Sequence, residues 1–164
     1  MVKMTVYGLA LDETAQVPVL ILKDVEEDTT LPIWVGATEA MAISLALNKV
    51  ALPRPMTHDL MLNLVHQLGA EVLRVELVRE ERGTYFAEIV LQVAEEEIRV
   101  DSRPSDAISL SLRAKCDLWV SKQVLETALE QLGDAESRLT PNTDRESWEA
   151  ILQQYSGDDN KYKM

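Results

Sequence analysis

Apolar and β-branched residues alternate with polar ones over Val2 to Leu11 and again over Val17 to Val25, with the polar Asp12-Glu13-Thr14 between them. A period of two, interrupted by turn-forming residues, predicts a strand hairpin. The short apolar run Leu31 to Val35 predicts a third strand. Thr38 to Lys49 is rich in Ala and Leu and free of Gly and Pro, which predicts a buried helix. Pro53 and Pro55 end it, because proline lacks the N–H a helix interior needs and restricts the residue before it. Beyond them, apolar residues fall at i, i+1, i+4, i+5 and i+8 from Leu60, with Thr57 where an N-cap belongs and Gly69 where a C-terminal cap does. The same order then recurs. Glu71 to Val78 and Thr84 to Val93 form a hairpin around Glu80-Glu81-Arg82-Gly83, and Glu97 to Val100 is a third strand. Helices cover Pro104 to Ala114 and Lys122 to Leu132, with Leu118-Trp119-Val120 as a short strand between them.

The recurrence extends to residue identity. Setting Ile33–Leu47 against Ile98–Leu112 gives seven matches in fifteen positions: Ile33/Ile98, Val35/Val100, Ala42/Ala107, Ile43/Ile108, Ser44/Ser109, Leu45/Leu110 and Leu47/Leu112. Chance gives roughly one at ordinary residue frequencies. Both halves also close on Gln-Leu-Gly, at residues 67–69 and 131–133. The chain therefore reads as a tandem duplication of about 65 residues, an α+β fold in which strand hairpins are grouped with helix pairs. Halves of that size make marginal cores alone, so residues 1–134 are expected to form one domain, with halves about 1–69 and 70–133 related by a pseudo-twofold. Residues 135–164 form an acidic extension, with a short helix expected over 145–155, where Trp148, Ile151 and Leu152 share a face, and a mobile tail after it.

Charge narrows the function. There are 16 Lys plus Arg against 28 Asp plus Glu in 164 residues, a net −12, spread as −5 over residues 1–82 and −7 over 83–164. A broad basic surface for nucleic acid is excluded, and any phosphate contact must be local or helped by a cation. The longest run without Asp, Glu, Lys or Arg is Leu60 to Ala70, too short to span a membrane. With no signal-like apolar stretch at the N-terminus and a single cysteine, Cys116, a cytoplasmic protein with a buried or half-buried thiol is expected.

Two segments carry candidate chemistry. Asp101-Ser102-Arg103-Pro104-Ser105-Asp106 opens a helix and is far more polar than its counterpart Gly36-Ala37-Thr38-Glu39-Ala40-Met41. Free N–H groups at a helix start and a neighbouring arginine suit a phosphate or carboxylate, and Asp101 with Asp106 would suit a divalent cation if they converge. The same residue types are also ordinary caps, with Arg103 paired to Asp101. The second segment, Arg54-Pro55-Met56-Thr57-His58-Asp59, brings a histidine, the residue type suited to proton transfer near neutral pH. Asp59, Asn63 and His66 form a polar stripe on that helix, which reads as a solvated face. No zinc spacing, phosphate-cradling glycine loop or nucleophile elbow occurs.

These segments, with Pro32-Ile33-Trp34-Val35-Gly36 and Glu39-Ala40, resemble the bifunctional nuclease family over about residues 1–130. The resemblance implies a compact α+β domain that dimerises and a metal-assisted nuclease acting on DNA and RNA. In that reading Asp101 and Asp106, with Asp59 or Glu39, hold Mg²⁺ or Mn²⁺. Arg54 and Arg103, with Thr57 and Ser105, hold the phosphate, His58 moves a proton, and activity falls with chelator. The rival expectation is a non-enzymatic module that senses a small anion or binds a protein partner. A third is architectural, each arginine bracing the opposite half of the chain.

Overall fold

Turn chemistry and strand propensity act together in the second hairpin. Arg82 and Gly83 adopt φ +54° and +82°, the left-handed pair a two-residue turn requires, and Glu81 then faces Thr84. Around such local choices the chain lays down eight strands and four helices among its described residues. The computed structural model describes residues 1–12, 14–27, 29–132 and 139–141. In order they are β1 (Val2–Asp12), β2 (Val17–Asp24), β3 (Thr30–Trp34), α1 (Ala37–Leu47), α2 (Thr57–Gln67), β4 (Ala70–Glu81), β5 (Thr84–Val93), β6 (Glu96–Ser102), α3 (Pro104–Ala114), β7 (Asp117–Val120), α4 (Lys122–Leu132) and β8 (Leu139–Pro141).

The strands form one sheet ordered β3-β2-β1-β7-β4-β5-β6, with β8 also against β1. All pairings are antiparallel except β4 with β7. The short strand β7 thus joins two three-stranded meanders. β1 is bonded along one edge by β2, and its other edge is shared by β7 at Val2–Met4 and β8 at Ala10–Asp12. Met4, Leu20, Ile33, Val75 and Ile89 point from one face of the sheet into a continuous core with Ile43, Ile108, Leu110 and Val124 of the helices. α1 and α3 pack side by side, their N-terminal ends lining one cleft and their C-terminal ends another, so they run parallel. No helix among the described residues is long and apolar enough to cross a membrane.

The fold is the expected α+β single domain, and α3 and α4 have the predicted bounds. Three differences stand out. Thr57 is the first residue of α2 rather than its cap: Met56 holds the N-cap position, and its N–H donates to Asp59 Oδ2 at 3.0 Å, because a carboxylate three residues in reaches that amide. The third strand of the second half runs on to Ser102. A strand at Leu139–Pro141 stands where the sequence suggested only an extension; its three residues are too few for a periodic signal. The helix expected over 145–155 and the tail lie outside the described residues.

Candidate functional site

The N-terminal ends of α1 and α3 meet the last residues of β3 and the β4–β5 turn around a cleft of about 320 Å³. Gly36, Glu39, Arg103, Pro104 and Ser105 supply its polar wall, and Trp34, Val35, Thr84 and Tyr85 much of the remainder. Proline is well placed at the first position of α3, where its missing N–H costs nothing and its ring pre-sets φ. Arg103 is the residue before it, extended at φ −69°, ψ 144°, and its side chain is thrown out over the cleft, 65% exposed.

Four charged or ionisable side chains form a chain behind this cleft. Arg103 Nη1 donates to Glu39 Oε1 at 2.9 Å, its Nε to Asp106 Oδ2 at 2.7 Å and its Nη2 to Asp106 Oδ1 at 3.2 Å. His58 Nε2 stands 3.1 Å from Asp106 Oδ1. His58 is buried and joins α2 to α3, while Glu39 and Arg103 join α1 to the start of α3. Hydrogen bonding to Arg103 holds Asp106 below the usual carboxylate range, and His58 adds to this against the effect of burial. Glu39 is lowered first by its own backbone N–H, then by the Thr38 hydroxyl and Arg103. Its carboxylate curls so closely over Gly36 that a Cβ there would meet Oε2. Both carboxylates are therefore ionised at neutral pH and committed to the guanidinium.

The other expected site residues are placed elsewhere. Asp59 accepts Arg113 Nε at 2.7 Å; Arg113 in turn donates to Ser109 O at 2.9 Å and Ala42 O at 3.1 Å. That buried guanidinium ties α1, α2 and α3 together, so Asp59 belongs to packing. Burial alone would raise Asp59, but the Met56 N–H and Arg113 outweigh it and hold it low. Asp101 lies opposite Glu88 on β6, one residue out of step with Val100, which faces Ile89. Strand alternation therefore puts it on the sheet face turned away from the helices, with Arg99, Glu76 and Glu88. Asp101 and Asp106 do not converge. Arg54 and Thr57 are exposed in the α1–α2 connector and at the start of α2, and neither lines the cleft. Ser105 does line it.

The donor set does not fit a preformed divalent-cation site. All four oxygens of Glu39 and Asp106 are engaged by Arg103, His58 or Thr38, and Asp101 is across the sheet. Among the described residues no three His, Cys, Asp or Glu side chains converge as metal ligands. Arg103 does brace distant parts of the chain, since it reaches Glu39 of α1, 64 residues earlier. Sequence reasoning missed Arg113, whose partners are separated from it by up to 71 residues, and Tyr85, an aromatic two residues past a Gly turn.

Comparison with known proteins follows the same segments. The bifunctional nuclease domain model matches residues 20–132. An uncharacterized protein of Mycobacterium tuberculosis is 34% identical over 160 residues, covering 95% of this chain and 96% of its own. Bifunctional nuclease 1 of Arabidopsis thaliana is 32% identical over 121 residues, and Bifunctional nuclease 2 of Oryza sativa subsp. japonica 30% over 122. The matches cover 70% and 71% of this chain but only 37% of either plant protein. With most of its length matched, including both Arg-Pro segments and the cleft built on one of them, the chain belongs to the bifunctional nuclease domain family.

Proposed function

We propose that the chain hydrolyses phosphodiester bonds of DNA and RNA at the cleft between the N-terminal ends of α1 and α3. The observation that carries this reading is the setting of Arg103. Three of the five N–H donors of a guanidinium are used to hold it between Glu39 and Asp106, which leaves two on the terminal nitrogens for a phosphate. Helix N-terminal amides beside it favour the same charge. Asp106 fixes the guanidinium, and His58 braces Asp106 from behind. Membership of the family, whose plant relatives carry the name bifunctional nuclease, supports the reaction class. No step is assigned to a metal ion.

The test is a digest of supercoiled plasmid and of single-stranded RNA by the purified chain beside Arg103→Ala and His58→Gln, in Mg²⁺, in Mn²⁺ and in EDTA. Loss of cleavage in Arg103→Ala is expected; undiminished cleavage in both variants refutes the site. The EDTA arm measures whether the divalent cation that the family resemblance implies is needed. A second reading, an anion-sensing or protein-interaction module without catalysis, is favoured by one observation: among the described residues lining the cleft, Arg103 is the sole cation. Phosphate binding that depends on Arg103 without any cleavage would select it.

Two further parts belong to this proposal. We read the halves as tandem copies, supported by the mirrored strand order β3-β2-β1 and β4-β5-β6 about β7. We also take the protein to act in the cytoplasm as a homodimer. Leu60, Leu64 and Leu68 are 50%, 54% and 80% exposed along one side of α2, in the longest stretch of the chain without charge. Two copies each carrying −12 meet with least repulsion on a face without charge. The i, i+4, i+8 spacing also pairs with itself when the helices run antiparallel, Leu64 on the axis.

A further inference from the structure

The cleft has an aromatic wall as well as a cationic one, and the phosphate reading uses only the second. Tyr85 is half-buried, lies on the helix side of β5 against the core, and lines the cleft with Thr84 and Gly83. Its hydroxyl has no hydrogen-bond partner among the described residues. The turn at Arg82–Gly83 brings the ring there: Glu80 faces Tyr85 across the hairpin, and the bulge between Leu77 and Arg79 re-aims the strand ahead of it. Trp34 walls the opposite margin, at the end of β3, with its indole N–H already satisfied by Asp12 Oδ2 at 3.0 Å.

We propose that this cleft receives one unpaired nucleotide, with the base against Tyr85 and its phosphate on Arg103, and that the substrate is therefore single-stranded nucleic acid or a locally opened strand. The proposal rests on the phosphate reading of Arg103 given above. Size and shape favour it. About 320 Å³ is room for a single nucleotide, whereas a paired base shows proteins only its edges and keeps its faces inside the stack. Charge favours it too. A chain of net −12 with one cation at the site gains little from the phosphate backbone at large, so contact with a base must carry an unusual share of the affinity. Stacking on an aromatic ring tolerates any base and is indifferent to the sugar, as a site accepting both DNA and RNA requires.

The experiment is a binding titration of the full chain by fluorescence anisotropy, on phosphorothioate strands that resist hydrolysis. Three probes are compared: a twelve-residue oligothymidylate, an abasic strand of equal length and charge, and a blunt duplex. Tyr85→Phe and Tyr85→Leu are measured beside wild type; leucine keeps an apolar side chain against the core if an alanine variant would not fold. The expected result is that oligothymidylate binds about ten-fold or more tighter than either other probe. Tyr85→Phe retains this and Tyr85→Leu falls to the abasic level. The salt dependence is shallow, with a log–log slope near −0.7 for one phosphate contact on a single strand. Equal binding of the abasic strand, tighter binding of the duplex, or unchanged binding in Tyr85→Leu overturns the proposal. The two readings fail separately: cleavage with an unaltered KM in Tyr85→Leu removes the nucleotide subsite and leaves the nuclease, whereas Tyr85-dependent binding without cleavage of natural strands removes the nuclease and leaves the subsite.

Discussion

Asp59 stands next to His58 in the chain and would be a natural choice for a catalytic carboxylate, yet its bonds make it a strut. Asp59→Ala removes two of them. The Met56 N–H bond acts as a helix N-terminal cap, worth about 1 kcal/mol. The Arg113 bond has unequal partners, since the guanidinium is 10% exposed and Asp59 40%, so solvent screens part of it. We take about 1–2 kcal/mol for it rather than the roughly 3–5 of a fully buried pair. Together the loss is about 2–3 kcal/mol, which for a chain of this size lowers Tm by about 5–10 °C. Thermal melts followed by circular dichroism of Asp59→Ala, Arg113→Met and the double variant check this. The double-mutant cycle should return a coupling of about 1–2 kcal/mol, because each single variant already loses the shared bond. Cleavage and phosphate binding below the melt should stay within a few-fold of wild type. An unchanged Tm with lost cleavage would refute the reasoning and return Asp59 to the active site.

Other outcomes follow from the same geometry. Asp106, Asp59, Glu39 and Glu76 all have folded-state pKa values lowered from the ordinary carboxylate range. Their contribution is therefore complete above that range and is lost as pH falls through the lowered values, so urea midpoints should be flat from pH 7 to 5 and drop below about pH 4. A steady decline between pH 7 and 5 would contradict this. Gly83→Ala places a side chain at φ +82° and should cost about 1 kcal/mol in a melt, with no effect expected from the open space around it. Leu64→Glu should turn a dimer into a monomer by light scattering; a dimer that survives would remove α2 as the interface.

Most of the secondary structure was legible because it is written in local periodicity. α3 begins at Pro104, a mark readable in sequence, while its end on Lys115 in the left-handed region carries no such mark, since lysine is not a residue that favours positive φ. The segment around Arg103 was legible as polar, but its pairing was not: the sequence suggested Asp101 as the partner, whereas the guanidinium takes Asp106, since strand alternation turns Asp101 to the other face of the sheet. Nor were the distant contacts legible. Glu39 is 64 residues from Arg103, and His58 is 48 from Asp106, so only the fold brings them together. Asp101 could have been set aside in advance: Ile98 and Val100 mark one face of β6, opposite Leu91 and Ile89, and alternation then turns Asp101 to the other. Asp59 could not, since its partner Arg113 carries no pattern beyond being a cation at a helix end.

The three residues of β8 reach further than their length suggests. Asp12, the last residue of β1, is paired on one edge with Val17 and on the other with Leu139, and its carboxylate holds the Trp34 indole at the margin of the cleft. A segment near residue 140 thus sets the footing of a side chain near residue 34. Loss of Leu139–Pro141 would take one neighbour from Asp12 and so loosen the support of the Trp34 wall of the cleft.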